Sequence, residues 1–372
     1  MKKKILIRNN AFMGGGVETV LKNLSDYLYA KGYDLTIVTD KRTKAEFYQI
    51  YPKGIHYLRS NLLPDDYVPD KKLKWIPLRI INKLYRIYVK IRMRQHFDVA
   101  IAMKEGPSML EVARLCADKK FGWVHVDYTY MHWTTHLFPT AEEERKCMQN
   151  FDKIVCVSQA TADAIKAIVG DPGNLCVKMN PIDVSSIERL AQKPCNQVRS
   201  KDRMLFVSVG RLVEQKNYPL LIDVCAELEK KYAFEMWIVG DGSDREQLEK
   251  QIRDRAIMSV KLLGFQNNPY PYMKAADAYV SSAVWESYGL TIQESLILGV
   301  PIITTRCPAI EEVFDQRCGM LVDNSFDTLY GAMERVLQNR ELLAQYRSEI
   351  QKIYRKENLY EGRLQEICSL WE

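Results

Sequence analysis

The chain has 372 residues, of which 47% are hydrophobic, 10% aromatic and 27% charged, and its formal net charge is +6. This length favours two domains over one, the composition is ordinary for a globular protein, and no apolar run approaches the roughly 18 residues of a membrane-spanning helix. The nine cysteines include no Cys-x-x-Cys pair, which argues against a zinc site or a disulfide scaffold and predicts a reducing, cytoplasmic setting.

The first half of the chain alternates short apolar runs with amphipathic stretches of helical period. Its basic start and brief apolar run predict a first strand rather than a signal peptide. The predicted strands cover residues 4–7, 35–39, 99–103, 122–125 and 154–157. The predicted helices cover residues 17–30, 73–95, 108–116, 141–150 and 160–169, the last with Ser158 as its N-cap. This alternation is typical of a parallel sheet covered by helices.

A polar stretch at residues 181–202, which contains Pro194 and has no clear period, separates this series from a second one. The strands of the second series are predicted at 205–209, 235–239, 260–262, 278–280, 302–304 and 319–322. Its helices are predicted at 218–231, 245–255, 270–274, 290–298 and 326–337, and two more at 341–354 and 359–370 close the chain. The sequence therefore predicts two successive α/β domains.

A glycine-rich loop, Gly14-Gly15-Gly16, follows the first strand and leads into a helix that begins with Val17 and Glu18. Glycines let a backbone approach a ligand closely, and the N-terminus of a helix offers N–H groups to an anion. The spacing does not match Gly-x-Gly-x-x-Gly, so the dinucleotide-binding fingerprint is absent. The loop is either a phosphate-binding element or a flexible turn.

Two loops of the second domain carry features of a phosphate site. Arg211 ends a strand and Lys216 lies at the start of the next helix, where crevice ligands bind in open α/β sheets. An Arg fork and a Lys point charge suit a diphosphate, although two basic residues in a loop are also a common solvated surface. The loop Gly240-Asp241-Gly242 follows the next strand and is interpreted mainly as a tight turn into a helix capped by Ser243.

The most specific element is the run Glu286-Ser287-Tyr288-Gly289-Leu290-Thr291-Ile292-Gln293-Glu294. It places one carboxylate on a loop after a strand and a second about one turn inside the helix that opens at Gly289. Between these carboxylates lie the unpaired N–H groups of a helix N-terminus, which attract phosphate. Two glutamates eight positions apart are common by chance, but this loop, glycine and helix context is not.

These motifs resemble the signature of the family 4 retaining glycosyltransferases, and the resemblance covers essentially the whole chain. It rests on Arg211, Lys216, Gly240–Gly242, Leu263-Gly264-Phe265, Glu286–Glu294 and Gly299-Val300-Pro301, with the glycine-rich first loop, Asn180-Pro181-Ile182-Asp183 and Ser158. The resemblance implies the GT-B architecture, in which two Rossmann-like domains face each other across a cleft. The domains would span residues 1–182 and 183–356, with a C-terminal helix at about 357–372 crossing back to the first.

The same resemblance implies a nucleotide-diphosphate sugar as donor, transfer with retention of anomeric configuration, and no cofactor or metal. Uridine diphosphate is the commonest donor nucleotide of the family. Arg211 and Lys216 would hold the diphosphate, Glu286 the sugar hydroxyls and Glu294 the ribose hydroxyls. Further donor contacts would come from Gly15, Gly16, Gly264, Phe265, Tyr288, Gly289 and Leu290. Glu18 is equally well explained as a residue that satisfies the start of its helix.

His125 and Asp127 follow a strand of the first domain, and family members have a histidine in this region that contacts the donor sugar. Asp127 would lie on the same strand face if the strand continues. With Glu286 they are the predicted catalytic residues, and the alternative for His125 is a structural histidine. His132 and His136 follow in an aromatic stretch as acceptor-site or packing residues.

The chain departs from the family pattern in two places. Family members commonly show Glu-Gly-Phe-Gly where this chain has Glu286-Ser287-Tyr288-Gly289. Their Gly-Gly-x-x-Glu loop is replaced here by Cys307-Pro308-Ala309-Ile310-Glu311-Glu312, so the identity of the sugar is not carried over. A nucleotide-sugar 2-epimerase of the same fold and a non-catalytic transferase subunit are the alternative functions. The subunit is disfavoured because such proteins usually lose the charged cleft residues.

The segment from Lys71 to Arg94 contains nine Lys or Arg and no acidic residue. Apolar residues recur in it at helical spacing, as in helices that lie on anionic membranes. A helix packed on the sheet with a solvated basic face fits the apolar stripe equally well. Nucleic-acid binding would need aromatic stacking platforms or a known module, which are missing. We expect a glycan or lipid-linked acceptor and a cytoplasmic enzyme that binds peripherally to an anionic membrane.

Overall fold

The computed structural model describes residues 2–10, 15–40, 54–59, 72–200, 202–354 and 358–372, without the side chains of 72–79. Gly14 and Lys71, which belong to two of the predicted motifs, lie outside these residues. The chain divides into two compact units, one formed by Met1–Ile182 with Tyr360–Glu372 and the other by Asp183–Leu359. Within the described residues, no helix has the length and apolar character needed to cross a membrane.

The first unit contains a parallel sheet whose described strands have the order β3-β2-β1-β4-β5-β6-β7. The strands are β1 (Lys4–Asn9), β2 (Asp34–Thr39), β3 (His56–Arg59), β4 (Phe97–Ala102), β5 (Ala117–Val124), β6 (Lys153–Cys156) and β7 (Leu175–Val177). The helices are α1 (Gly16–Ala30), α2 (Lys72–Met93), α3 (Pro107–Val112), α4 (Ala141–Met148) and α5 (Gln159–Ile168). Ser158 caps α5 as predicted, by accepting a hydrogen bond from the Thr161 N–H.

The second unit contains a second parallel sheet, with the strand order β10-β9-β8-β11-β12-β13. Its strands are β8 (Met204–Val209), β9 (Phe234–Val239), β10 (Val260–Leu262), β11 (Ala278–Ser281), β12 (Ile302–Thr305) and β13 (Gly319–Val322). Its helices are α6 (Val184–Leu190), α7 (Tyr218–Leu228), α8 (Arg245–Asp254), α9 (Tyr270–Ala275), α10 (Leu290–Ile297), α11 (Pro308–Val313), α12 (Phe326–Gln338) and α13 (Arg340–Ile353).

Helices cover both faces of this second sheet, which explains why its strands are mostly apolar on both faces. Successive side chains of a strand point to opposite faces. In β8, Met204 and Phe206 pack in one buried cluster, whereas Leu205 and Val207 pack in the other. The two clusters hold the sheet from both sides and fix the strand ends, where the loops of the candidate site begin.

The last helix, α14 (Glu361–Cys368), belongs to the first unit, as the predicted return of the C-terminal helix requires. Arg363 donates a hydrogen bond to the Asn180 carbonyl at 2.8 Å, and the Tyr360 hydroxyl donates one to the Asn23 carbonyl at 3.3 Å. The rings of Trp371 and Phe121 pack with centroids 5.3 Å apart.

The structure differs from the prediction mainly in short elements. Strands β3 and β7 were not predicted, because they have four and three residues and are only partly buried edge strands. Helix α6 lies within the stretch 181–202, which shows no period because seven helical residues are too few to display one. The cap assigned to Ser243 is wrong, since α8 begins after Asp244 and the Ser243 hydroxyl donates to the Asp244 carboxylate instead.

Candidate active site

In the second unit, the loops that follow β8, β9 and β10 pack directly on one another. The Gly240 N–H donates to the Gly264 carbonyl at 2.9 Å. A Cβ atom on Gly240 would lie 1.9 Å from the Gly210 carbonyl oxygen, and one on Gly242 would lie 2.2 Å from that of Leu212. Because only glycine fits such contacts, these glycines keep the loops at the carboxyl edge of the sheet in register. The role of Gly240-Asp241-Gly242 is therefore close packing of backbone.

Lys216 and Glu286 form an ion pair at this edge of the sheet. Lys216 lies in a 3-10 turn, Glu214–Lys216, and not at the start of a helix as predicted, because Asn217 adopts a left-handed conformation before α7 begins. Glu286 lies five residues beyond the end of β11, and only 9% of the residue is exposed. Arg211 lies on the loop that also carries Lys216, and its side chain is exposed.

Gly289 ends the loop after Glu286 and begins α10. Its φ of +73° is left-handed, and a Cβ atom there would lie 2.4 Å from the Cδ1 atom of Ile310, so a larger residue would be strained. Tyr288 is buried, and Leu290 is the first helical residue. The first N–H groups of a helix have no intrahelical acceptor, so Gly289 and Leu290 offer donors at the start of α10, three and four residues after Glu286.

Glu294, one turn inside α10, is a buried carboxyl group. Its Oε1 accepts a hydrogen bond from the Tyr270 hydroxyl at 3.1 Å. Burial raises the pKa of Glu294 to about 7, and the hydrogen bond from Tyr270 opposes this shift only in part. The carboxyl group therefore changes its charge near neutral pH.

The loop after β10 carries Gly264 and Phe265, the residues expected near a nucleobase. Gly264 has a left-handed φ of +71°, and the Phe265 ring is 54% exposed. An exposed aromatic ring on a loop held by glycine packing is available to stack on a planar ligand.

Cys307 lies near Glu286, where the family pattern has a glycine-rich loop. Its side chain is buried, and burial raises the pKa of the thiol to about 12, an effect to which the nearby Glu286 carboxylate also contributes. The thiol is therefore neutral and unreactive at physiological pH.

In the first unit, Gly15 and Gly16 start α1. The Gly15 N–H already donates to the Glu18 carboxylate at 2.9 Å, which forms a capping box. This contact supports the interpretation of Glu18 as a residue that satisfies its own helix. It also means that a phosphate could take the Gly15 N–H only by displacing Glu18.

His125 immediately follows β5, which ends at Val124. Its backbone N–H donates to the Glu105 carboxylate at 3.1 Å. Its Nε2 atom is shielded from water and has no hydrogen-bond partner among the described residues. Burial lowers the pKa of His125 to about 4 despite the nearby Glu105 carboxylate, so the ring is neutral. A neutral ring with an unsatisfied nitrogen is suited to bind a hydroxyl group.

Asp127 does not continue the strand, so the expected placement on one strand face with His125 is wrong. Its Oδ1 accepts the Thr129 N–H at 2.9 Å, and its carbonyl accepts the N–H groups of Tyr130 and Met131. The residue is 3% exposed. These contacts give Asp127 the geometry of a turn-forming aspartate.

Two buried carboxylates that the sequence analysis missed hold the segment after β5. Glu105 accepts from the Trp133 indole N–H at 2.9 Å as well as from His125. Glu144 accepts from the hydroxyl groups of Tyr128 and Thr134, both at 2.8 Å. Their positions, after a strand and inside a helix, carried no sequence signal, because a glutamate at either place is ordinarily solvated.

The two histidines left without an assigned role occupy different surroundings. The ring of His132 stacks on Tyr128, and its Nε2 lies 2.7 Å from the Glu144 carboxylate, so His132 is a packing residue. His136 is exposed beside Trp133, with ring centroids 5.7 Å apart. Among the described residues, no three His, Cys, Asp or Glu side chains are grouped as a metal site requires.

Two family models match the chain. The model described as Glycosyltransferase Family 4 matches residues 14–186, and the model described as Glycosyl transferases group 1 matches residues 192–353. Between them they cover most of both units.

The chain is similar to curated relatives over part of their length. In the alignments with three of these relatives, the chain spans 33%, 42% and 51% of the length of the relative. One is the N-acetylgalactosamine-N,N'-diacetylbacillosaminyl-diphospho-undecaprenol 4-alpha-N-acetylgalactosaminyltransferase of Campylobacter jejuni, 28% identical over 50% of this chain and 51% of the relative. Another is the alpha-monoglucosyldiacylglycerol synthase of Acholeplasma laidlawii, 23% identical over 88% of this chain and 86% of the relative.

The fold is also found in solved structures. The structure of Anabaena HepE in complex with UDP-glucose superposes with a TM-score of 0.76 at 18% identity, over 98% of this chain and 99% of that one. This likeness confirms the predicted fold class, α/β with two Rossmann-like domains of the GT-B type. The two family models and the motifs at the ends of β8 and β11 identify the family. The chain belongs to glycosyltransferase family 4.

Proposed function

We propose that this protein is a retaining, metal-independent glycosyltransferase that transfers a hexose-type sugar from a UDP-sugar to a glycan or lipid-linked acceptor. The observation that carries the proposal is the juxtaposition of Lys216, Glu286 and the N-terminus of α10 at the carboxyl edge of the second sheet. A cation, a carboxylate and free helical N–H groups are the three groups needed for a diphosphate joined to a sugar.

Each part of the donor has a partner in this arrangement. Lys216 and Arg211 bind the diphosphate together with the N–H groups of Gly289 and Leu290. Glu286 binds the sugar hydroxyls, and Glu294 accepts hydrogen bonds from the ribose hydroxyls. Gly264 and Phe265 contact the nucleobase from the loop after β10, while the buried Tyr288 holds the turn between Glu286 and Gly289.

The charges of this site favour bond cleavage. Negative charge grows on the diphosphate as the glycosidic bond breaks, so Lys216 and Arg211 interact more strongly with the transition state than with the bound donor. The Glu286 carboxylate stabilises the positive charge that develops on the sugar. Because side chains and helix N–H groups neutralise the leaving group, the reaction needs no divalent metal.

In the first unit, His125 is assigned to the donor sugar, because it directly follows β5 and its neutral ring has an Nε2 without a partner among the described residues. Gly15 and Gly16 are assigned to the phosphates, with Glu18 released from the Gly15 N–H when donor binds. Asp127, which the sequence predicted to be catalytic, is assigned instead to the turn that it forms by accepting the Thr129 N–H.

Helix α2 supports a membrane-bound acceptor. Val89 and Met93 are buried and pack with Leu6 of the first sheet. The apolar residues of the stripe lie elsewhere on the helix and are exposed: Ile80 by 55%, Ile81 by 52%, Leu84 by 61%, Ile87 by 47%, Tyr88 by 48% and Ile91 by 57%. These exposed side chains therefore do not pack on the sheet, in contrast to the alternative interpretation of the stripe.

Basic residues border this stripe. Lys83, Arg86 and Lys90 recur at spacings of three and four residues, which places them along one flank of α2. An exposed apolar stripe beside a row of cations fits the interface of an anionic bilayer. By their names, one relative is a transferase for a diphospho-undecaprenol-linked glycan and another is the synthase of alpha-monoglucosyldiacylglycerol. We therefore propose a peripheral membrane enzyme of cell-surface polysaccharide or glycolipid synthesis, acting from the cytoplasm.

Hydrolysis of nucleotide sugars tests the donor assignment. The purified protein is incubated with UDP-glucose, UDP-galactose, UDP-N-acetylglucosamine and GDP-mannose in excess chelator, and the released nucleotide is measured. We expect release from at least one UDP-sugar, and an excess of the α-anomer of the free sugar in NMR spectra recorded before mutarotation equilibrates the two anomers. Release from GDP-mannose alone would overturn the uridine assignment. Activity that chelator abolishes and a divalent metal restores would overturn metal independence.

A further inference from the structure

Asn324 lies just beyond β13, 38 positions after Glu286 in the chain, and its side-chain amide joins two other loops. Its Nδ2 donates to the carbonyl of Ser282 at 2.9 Å and to the carbonyl of Ala283 at 3.0 Å. Its Oδ1 accepts from the Nδ2 of Asn217 at 3.0 Å. One amide group thus connects the segment before Glu286 with the residue after Lys216.

The carbonyl groups that accept from Asn324 lie beyond the end of β11 and are not part of the sheet. Strand β11 ends at Ser281, whereas Ser282 and Ala283 are 1% and 2% exposed. A buried carbonyl without a donor costs free energy, so an irregular segment of this kind needs side-chain partners. Asn324 supplies a donor to both carbonyls, and the Thr305 hydroxyl supplies a second one to Ala283 at 2.6 Å.

The segment after β11 is in turn bound to the turn that carries Lys216. The Ser282 hydroxyl donates to the Lys216 carbonyl at 2.7 Å, and the Val284 N–H donates to the Gln215 carbonyl at 2.9 Å. The Gln215 amide returns a hydrogen bond to the Trp285 carbonyl at 3.0 Å. The backbones on either side of the Lys216–Glu286 ion pair are therefore fixed against each other. Asn324 contacts the backbone on the Glu286 side and the side chain of Asn217 on the Lys216 side.

We propose that Asn324 is a positioning residue that sets Lys216 and Glu286 at the spacing required by a sugar diphosphate. This inference rests on the proposed function, in which Lys216 binds the diphosphate. A lysine side chain is long and loses much rotamer freedom when it binds, so affinity depends on how well its backbone is held. Loss of the Asn324 amide removes one hydrogen-bond partner from the segment before Glu286 and from Asn217 at the same time, which loosens the spacing of Lys216 and Glu286.

A purely structural role would give a different pattern, and the neighbouring residue provides the comparison. The Ser325 hydroxyl accepts the Thr328 N–H and caps α12. Ser325→Ala removes a cap at the adjacent position without touching Ser282, Ala283 or Asn217. It is therefore a matched control for a loss of stability in the same loop.

The test uses calorimetry with UDP, ADP, GDP and dTDP, and the probe is the diphosphate that wild-type protein binds most tightly. We expect Asn324→Ala to weaken binding about 5-fold, and Asn324→Asp to weaken it further because its oxygens oppose the two carbonyls. Ser325→Ala should bind as wild type does, even if its Tm falls as far as that of Asn324→Ala.

The double variant Lys216→Ala/Asn324→Ala tests whether Asn324 affects nucleotide affinity through Lys216 or independently of it. In a Lys216→Ala background, Asn324→Ala should have no further effect on affinity, because the residue through which it acts is gone. Additive losses, or a loss in Ser325→Ala equal to that in Asn324→Ala, would overturn the inference and leave the proposed function standing. Wild-type protein that binds none of the four diphosphates, or binds one equally well after Lys216→Ala, would instead overturn the proposed function together with the inference.

Discussion

Lys216 and Glu286, 70 positions apart in the chain, form an ion pair. The side chains are only 17% and 11% exposed, so water and salt screen their attraction less than they screen a surface pair. A diphosphate that binds Lys216 therefore has to compete with Glu286. When it does so, the Glu286 carboxylate is released from Lys216 and can accept hydrogen bonds from the sugar hydroxyls. Binding of the two halves of a sugar diphosphate would be coupled through this pair.

Glu286→Gln should lower kcat by about 100-fold, or about 2.7 kcal/mol, because the neutral amide cannot stabilise positive charge on the sugar. Steady-state transfer or donor hydrolysis measures the loss. Glu311→Gln is the control, since Glu311 also pairs with a basic residue, Arg306, but does so at the exposed surface. Full turnover in a folded Glu286→Gln protein would contradict the assignment.

Nucleotide affinity should rise with pH through the pKa of Glu294, which burial raises from 4.5 to about 7. The ionised carboxylate accepts hydrogen bonds from the ribose hydroxyls more strongly than the protonated acid does, so acid weakens binding. Calorimetry at about one unit below and above that pKa measures the change. In Glu294→Gln the pH dependence should disappear and affinity should be low throughout. A wild-type affinity that is flat across this range would refute the role of Glu294.

The same group affects stability in the opposite direction. A carboxyl whose folded pKa is raised binds more protons in the folded than in the unfolded protein between pH 4.5 and about 7. The free energy of unfolding therefore falls as pH rises through this window. The Tm of Glu294→Gln, measured across this pH range, should therefore fall less with rising pH than the Tm of the wild-type protein.

His125→Ala and Asp127→Asn should differ in their effects on turnover. Alanine removes the shielded ring that is assigned to the donor sugar, so we expect kcat to fall by about 10-fold or more. Asparagine at 127 retains an oxygen that can accept the Thr129 N–H, so turnover should stay within about 2-fold of wild type. Measured kcat values for the two proteins decide this. A large loss in Asp127→Asn at unchanged Tm would restore Asp127 as a catalytic residue.

Leu84→Ser should weaken binding to vesicles that contain phosphatidylglycerol, because it removes an exposed apolar side chain from the stripe on α2. Met258→Ser is the matched control, since Met258 is an apolar residue of the second unit that is 81% exposed. Co-sedimentation should show wild-type binding that increases with anionic lipid and decreases with salt. Equal binding to phosphatidylcholine vesicles, or equal loss in both variants, would exclude α2 as the docking surface.

Sequence alone was sufficient for the fold class and for the long elements. Buried parallel strands such as β8 and β9 are mostly apolar, with one polar residue each, and α1 and α12 show the helical period over many residues. Local patterns were therefore sufficient to predict these elements. Edge strands β3 and β7 and the short helix α6 were not predictable, because so few residues carry no periodicity and are defined by their neighbours.

The residues of the donor motif could likewise be named in advance, since Glu286, Gly289 and Glu294 lie within one short segment with a distinctive order. Only the tertiary structure showed that Lys216 pairs with Glu286, that Asn324 joins the loops around them, and that Asp127 forms a turn. Such contacts join residues far apart in the chain or depend on where a strand ends. They follow from how strands and loops pack in space, which no local pattern encodes.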